Sequence, residues 1–159
     1  MGIIFREGKL SDCDKLIDLY EELDNLHLEN HPEIFITPNF RGRPEPYIKA
    51  IIDNPERTLI VAEKNSEIIG MAECYIKESS KFPLYKPMKW VQLDIIAVKK
   101  EYQSEHIGSA LLKEVTNWAK EKGINRVQLT VFNFNERAID FYEHKGFKTL
   151  NKTLFLDLD

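Results

Sequence analysis

Residues 90–132 run strand, helix, strand in about forty residues, and few folds accommodate that order. The apolar run WVQLDIIAV ends at Val98, and a short polar turn follows. An amphipathic helix then starts at Ile107-Gly108, with Ile107, Leu111, Val115 and Trp118 on one stripe, and Gly123 stops it. RVQLTVF is the next strand. Two strands joined through a helix lie parallel, with a right-handed crossover. Upstream, TLIVAE and EIIGMAECYI flank a turn at Lys64-Asn65-Ser66 and form an antiparallel hairpin. The sheet is therefore mixed.

The remaining segments fill out an α/β (α+β) chain. IIFREG is a first strand. A helix is expected from about Ser11 to Leu28, with Ser11 as its N-cap and Cys13, Leu16, Ile17, Tyr20 and Leu23 on its apolar stripe. Residues 30–44 hold three prolines and one glycine, a loop long enough to suggest function. EPYIKAIID is a short helix, NERAIDFYEHK is another ended by Gly146, and FKTLNKTLFLDL supplies one or two final strands.

Composition narrows the function classes. The 159 residues suit a single domain spanning 1–159. A 43% apolar and 30% charged content is that of a soluble globular protein. A net charge of −4 argues against a nucleic-acid partner. No apolar run approaches ~18 residues, which argues against a membrane span. Cys13 and Cys74 have no paired spacing, pointing to a reducing, cytoplasmic setting. His27, His31, His106 and His144 show no ligand spacing with them, so no metal is expected. The GxSxG elbow of a serine hydrolase is absent. Residues 12–33 carry eight acids against one base, Lys15, which reads either as a solvated helix face or as an attraction for cations.

Three features carry chemistry. The first N–H groups of a helix lack internal partners and sit at the positive end of its dipole, so the turn before Gly108 reads either as an anion cradle or as plain strand-to-helix connectivity. It has neither the GxGxxG nor the GxxxxGK[ST] pattern of nucleotide-binding loops. Second, alternation puts Trp90, Gln92, Asp94, Ile96 and Val98 on one face of their strand and Val91, Leu93, Ile95 and Ala97 on the other. An aspartate inside such a run is costly to bury, so Asp94 is paired, partly solvated or at work. Third, helical spacing groups Ala138, Ile139 and Tyr142. A tyrosine there is either core with its hydroxyl at the rim or a proton donor.

At these residues the chain resembles the GNAT superfamily of acyl-CoA-dependent N-acetyltransferases. One family motif, V-x-x-x-x-[RQ]-x-x-G-x-[GA], corresponds to Val98, Gln103, His106 and Gly108, with His106 in place of the usual glycine. A second, N-x-x-A-x-x-x-Y-x-x-x-G-F, is matched by Asn135, Ala138, Tyr142, Gly146 and Phe147. The resemblance implies a mixed, mostly antiparallel sheet of six to seven strands with helices on both faces and a central parallel pair that splays apart. It implies acetyl-CoA as co-substrate and no metal. Its diphosphate would rest on Gln103, Ser104, His106, Ile107, Gly108 and Ser109. Its arm would lie along Ile96, Ala97 and Val98, with Asn135 and Ala138 near the reactive end.

The resemblance further implies transfer of the acetyl group to a primary amine by direct attack. Neutralising a lysine-like ammonium at pH 7 costs about 4.6 kcal/mol, and Asp94 is the candidate base. Tyr142 is the candidate acid for the leaving thiolate, a transfer uphill by about 2 kcal/mol for ordinary pKa values. His31, Phe35 and Gln92 would line the acceptor side, and the acids of residues 12–33 would favour a polyamine, aminoglycoside or peptide amine. Members of the superfamily often form homodimers, and TLFLDLD offers an edge strand for one. The rival reading is an acyl-CoA-binding or dimeric regulatory module that keeps the cradle and has lost the chemistry.

Overall fold

The computed structural model describes residues 2–159. The order is β1 (Ile4–Glu7), α1 (Cys13–Asn30), α2 (Glu45–Ile52), β2 (Arg57–Lys64), β3 (Glu67–Glu78), β4 (Lys89–Val98), α3 (Ile107–Glu121), β5 (Val127–Leu129) and α4 (Glu136–His144). The strands form one sheet in the order β1-β2-β3-β4-β5, with β4 and β5 parallel and the other neighbours antiparallel. The β2–β3 hairpin turns on Asn65 and Ser66, both at positive φ (52° and 66°), the conformation whose twist matches paired strands.

Helices cover both faces. On one side α1 and α2 bury Leu16, Leu19, Tyr20, Ile48 and Ile51 against Leu59, Val61, Ile68 and Met71. On the other, α3 buries Ile107, Leu111, Val115 and Trp118 against Ala72, Cys74, Val91 and Leu93, and Tyr142 of α4 joins this core. The N-terminal end of α3 packs against the backbone at Gly70. A Cβ there would meet Leu111 and Ile107 methyls at 3.1 and 3.2 Å, so a larger residue would push the helix off the sheet. That contact fixes where the helix start lies.

Several expectations are corrected. The sheet has five strands among the described residues, not six to seven. RVQLTVF pairs only over Val127–Leu129. FKTLNKTLFLDL forms no strand: an extended segment becomes one only with a partner for its N–H and C=O groups, and residues 148–159 have none here. Ser11 is not the cap of α1. It lies in a 3-10 turn over Leu10–Asp12, and α1 begins at Cys13.

The even alternation expected along β4 also fails. Cys74 opposes Leu93 and Glu73 opposes Ile95, which leaves Asp94 as an extra, unpaired residue. This bulge inverts the alternation. Val91 and Leu93 share the α3 core with Ile96 and Val98, whereas Ile95 and Ala97 turn to the α1/α2 core.

Asp12 clamps the first turn. Its buried carboxylate takes two hydrogen bonds from the Arg6 guanidinium (2.8 and 3.0 Å) and one from the Lys9 N–H (2.8 Å). Arg6 also donates to Glu63 at 2.7 Å. Burial pushes the Asp12 carboxyl up, but the Arg6 and Lys9 hydrogen bonds outweigh it and hold the group below the usual carboxylate range. The stability this contributes is therefore present above that range and lost as pH falls through it. Replacing Asp12 with Ala leaves Arg6 half-paired, and the expected loss in a urea unfolding experiment at pH 7 is about 3 kcal/mol, shrinking towards pH 3.

Candidate active site

The parallel pairing of β4 and β5 covers three residue pairs, Val91–Val127, Gln92–Gln128 and Leu93–Leu129, and then stops. β4 continues to Val98 without its neighbour. The chain beyond β5 is held instead at the end of α1. There Phe132 and Phe134 pack on His27 and His31, ring centroids 5.2–5.8 Å apart. Phe35, from the loop after α1, joins at 5.2 Å from His27 and 5.6 Å from Phe132. The two strands thus part immediately past the bulge at Asp94.

Backbone direction along the open stretch of β4 follows from one bond. Lys99 donates its N–H to the Ile69 carbonyl at 2.9 Å, on the β3 side. Peptide groups alternate sides along a strand, so those of Val98 and Ile96 face the gap, and that of Ala97 faces β3. The mouth of the gap is the turn before α3. Among the described residues, no protein acceptor takes the N–H groups of Ser104, His106, Ile107, Gly108 or Ser109. Five amides at the positive end of a fifteen-residue helix form a nest for an anion.

His106 caps that helix in the left-handed region (φ 59°, ψ 17°), doing with a side chain what glycine does without strain. The Gln103 side chain braces the turn: its amide donates to the Val98 carbonyl at 3.1 Å, and its oxygen accepts from Arg137 of α4 at 2.5 Å. The Ile107 side chain is buried in the core. Across the mouth, Asn135 caps α4 by accepting from the Ala138 N–H at 3.2 Å. These ties fix the helix starts of α3 and α4 relative to each other.

The two candidate proton-transfer groups approach from opposite faces. Tyr142 is packed between Phe141 and Phe147, centroids 5.2 and 5.5 Å away, and burial pushes its hydroxyl up to about 12. Every fully buried side-chain polar atom among the described residues has a partner, and no hydrogen bond engages the Tyr142 hydroxyl, so that oxygen opens onto accessible space. Asp94 is exposed at the bulge, on the side of α1 and α2. Of the acceptor-side candidates, Gln92 accepts from the Trp90 indole at 3.1 Å, and His31 pairs with Glu33 at 2.6 Å.

One residue beside this site escaped the sequence reading. Glu73 of β3 is 2% exposed and accepts hydroxyl hydrogen bonds from Tyr20 of α1 and Tyr47 of α2 (2.8 Å for Tyr47). The signal that singled out Asp94, an acid inside an apolar strand, was present here too. Among the described residues no three His, Cys, Asp or Glu side chains gather as a metal-ligand set.

Residues 17–147 match the model of the acetyltransferase (GNAT) family. The chain belongs to the GNAT family. It is therefore an acyl-CoA-dependent acetyltransferase by membership. It is 36% identical to the thialysine N-epsilon-acetyltransferase of Sus scrofa over 166 aligned residues, covering 95% of this chain and 87% of that one. The uncharacterized N-acetyltransferase YhfO of Bacillus subtilis is 24% identical over 90% of this chain and 88% of its own. Among solved structures, the tetramutant of the BH1408 protein of Bacillus halodurans superposes with a TM-score of 0.91 at 20% identity, covering 98% of this chain and 99% of that one. The fold of this GNAT chain is thus that of known structures, while its acceptor is a separate question.

The left-handed His106 gives a test of the cradle's strain. A non-glycine residue there costs roughly 1–2 kcal/mol, partly offset by the chain entropy that glycine loses on folding. His106→Gly is expected to stabilise the protein by about 0.5–1 kcal/mol in urea unfolding, and His106→Val to destabilise it by about 1–2 kcal/mol.

Proposed function

We propose that this GNAT chain, acting as one domain, transfers an acetyl group from acetyl-CoA to the primary amine of a small cationic acceptor by direct attack. The observation that carries the reading is the parting of β4 and β5 beside five unpartnered amides at the start of α3. Ser104, His106, Ile107, Gly108 and Ser109 would hold the diphosphate through their N–H groups. Gln103 braces that turn. Ile96 through its N–H and C=O, and Val98 through the N–H that remains beside its Gln103-bound carbonyl, would pair with the arm, and the start of α4 at Asn135 and Ala138 flanks the reactive end. The co-substrate supplies a thioester, an acetyl group already activated for attack.

Asp94 takes the proton that the attacking ammonium must lose, a step costing about 4.6 kcal/mol at pH 7 for a lysine-like amine. Its exposure at the bulge keeps it in contact with water, through which the proton can leave. Tyr142 serves the leaving sulfur. With its hydroxyl pushed up to about 12, full transfer to a thiolate is uphill by about 5 kcal/mol rather than the 2 kcal/mol of an ordinary tyrosine. Burial therefore keeps Tyr142 protonated throughout the working range. It donates a hydrogen bond to the departing sulfur, and the proton follows late.

A small cationic acceptor is favoured by the 36% identity to a thialysine N-epsilon-acetyltransferase. The acids of residues 12–33 support it less than their number suggests. Asp12, Glu21, Asp24 and Glu33 are tied to Arg6, Arg41, Arg43 and His31. His31 and Phe35, in the aromatic cluster at the end of α1, and Gln92 on β4 line the acceptor side in this reading.

The reading extends to a cytoplasmic homodimer. Leu154, Phe155, Leu156 and Leu158 are 79–88% exposed on an extended segment beyond α4, and a second copy would cover them. No helix of the described residues is long and apolar enough to cross a membrane.

The deciding assay is release of free thiol from acetyl-CoA with a panel of amines: 1,4-diaminobutane, L-ornithine, thialysine, an aminoglycoside and a lysine peptide. Amine-dependent release is expected. Binding of acetyl-CoA with no release for any amine would favour the non-catalytic module instead. A Cβ at Gly108 would meet the Phe141 ring at 3.7 Å, an ordinary contact, so Gly108→Ala should retain acetyl-CoA binding. Gly108→Glu puts a carboxylate into the anion nest and should weaken it at least about tenfold. Tyr142→Phe should lower kcat by about 10²-fold or more with the acetyl-CoA affinity kept.

A further inference from the structure

Glu73 is the buried group that the proposed chemistry leaves without a role. An apolar side chain would fill its place in β3 without the cost of burying a carboxyl, which runs to several kcal/mol unless the group is well paired. Its surroundings are unusual for a merely structural acid. No cation bonds to it. Its partners are the two hydroxyls of Tyr20 and Tyr47. The nearest guanidinium, Arg43, lies 4.5 Å above the Tyr20 ring and is committed to Asp24 through bonds of 2.7 and 2.8 Å.

Position makes this arrangement functional. Glu73 opposes Ile95, the residue next to the bulge, so it lies beneath the point where β4 sends Asp94 outward. Tyr20 belongs to α1, and Tyr47 lies in the first turn of α2, directly after the long loop of residues 31–44. One carboxyl thus ties both helices of the acceptor side to the sheet beside the proposed base. Tyr47 is half-buried, so its ring reaches the rim of that side. Burial pushes the Glu73 carboxyl up, its tyrosine hydrogen bonds pull it back, and the charge of Asp94 adds to the rise. Tyr47 is pushed up to about 12 by burial first, then by Glu73, with Asp94 adding. The groups facing Glu73 are therefore Tyr20, Tyr47, Asp94 and the Asp24-bound Arg43.

We propose that Glu73 is a positioning residue for the acceptor amine: it fixes Tyr47 at the rim beside Asp94 and adds a second carboxyl beneath the place where the ammonium enters. This deepens the acetyltransfer reading and rests on it. The ammonium meets a half-buried aromatic ring and a pair of carboxyls within Coulombic reach of each other, a setting that attracts a cation and repels neutral or acidic acceptors.

The test uses the full chain and compares wild type with Glu73→Gln and Tyr47→Phe, with 1,4-diaminobutane and thialysine as acceptors. For Glu73→Gln we expect KM for the amine to rise about tenfold, the loss of one hydrogen bond to a charged group, with KM for acetyl-CoA within twofold. kcat should stay within about threefold, a KM-against-kcat split confined to the amine that loosened packing alone would not give. Tyr47→Phe keeps both carboxyls and should raise the amine KM by less than Glu73→Gln does, again with the acetyl-CoA KM within twofold. It also stands as the test if Glu73→Gln fails to fold. Wild-type turnover with an unchanged amine KM in the variants, or with both KM values rising together, overturns this role alone. A wild type that releases no thiol with any amine removes the reading beneath it, and this role with it.

Discussion

The gap between β4 and β5 is where hydrogen bonding stops being satisfied within the sheet, and the rest of the site depends on it. A strand interior normally presents each N–H and C=O to a neighbour. Here three pairs form and then Ile96 and Val98 are left facing an opening. Two local arrangements hold this state. The bulge at Asp94 twists β4 at the last paired position, and the phenyl rings of Phe132 and Phe134 anchor the departing chain on the histidines at the end of α1. The vacated backbone suits an extended ligand arm, because such an arm meets the same donors and acceptors that a strand would.

Electrostatics divides the gap into two ends. At the mouth, the dipole of α3 and its free amides set up a positive field with no lysine or arginine required in the turn itself. Near the bulge, Asp94 and Glu73 are carboxyls within Coulombic reach of each other. In the proposed reaction this polarity would sort an anionic co-substrate and a cationic acceptor to different ends. The close seat of α3 on Gly70, opposite Val98, keeps the positive end at the mouth of the gap.

Much of the fold was legible in the sequence because it follows from periodicity and punctuation. The helical stripe from Ile107 to Trp118, the glycine stop at Gly123 and the Asn65-Ser66 hairpin turn each arise from neighbouring residues, and each formed where expected. What could not be read depends on partners distant in sequence. The bulge at Asp94 exists because β3 meets β4 with one residue fewer, and nothing within WVQLDIIAV marks it. Its inversion of the strand faces was therefore missed. β5 ends at Leu129 because Phe132 is drawn to α1, a contact that joins residues about a hundred positions apart. Glu73 went unread for a different reason. Its acid in an apolar strand was visible, but the tyrosines that give it meaning come from two helices whose packing the sequence does not state.

Burial acts on Tyr142 and Glu73 in the same direction and serves opposite needs. Both groups are pushed towards their neutral forms. In the proposed reaction the neutral form of Tyr142 is the proton donor, so packing between Phe141 and Phe147 would keep it ready while raising the cost of full transfer. For Glu73 two tyrosine hydroxyls oppose that push without cancelling it. The hydroxyl of Tyr142 has no such partner and reaches open space. The pattern separates the two roles on physical grounds. In the proposed chemistry the donor to the leaving sulfur is left free of other acceptors, whereas the buried carboxyl is held by two hydroxyl donors that offset part of the cost of its burial.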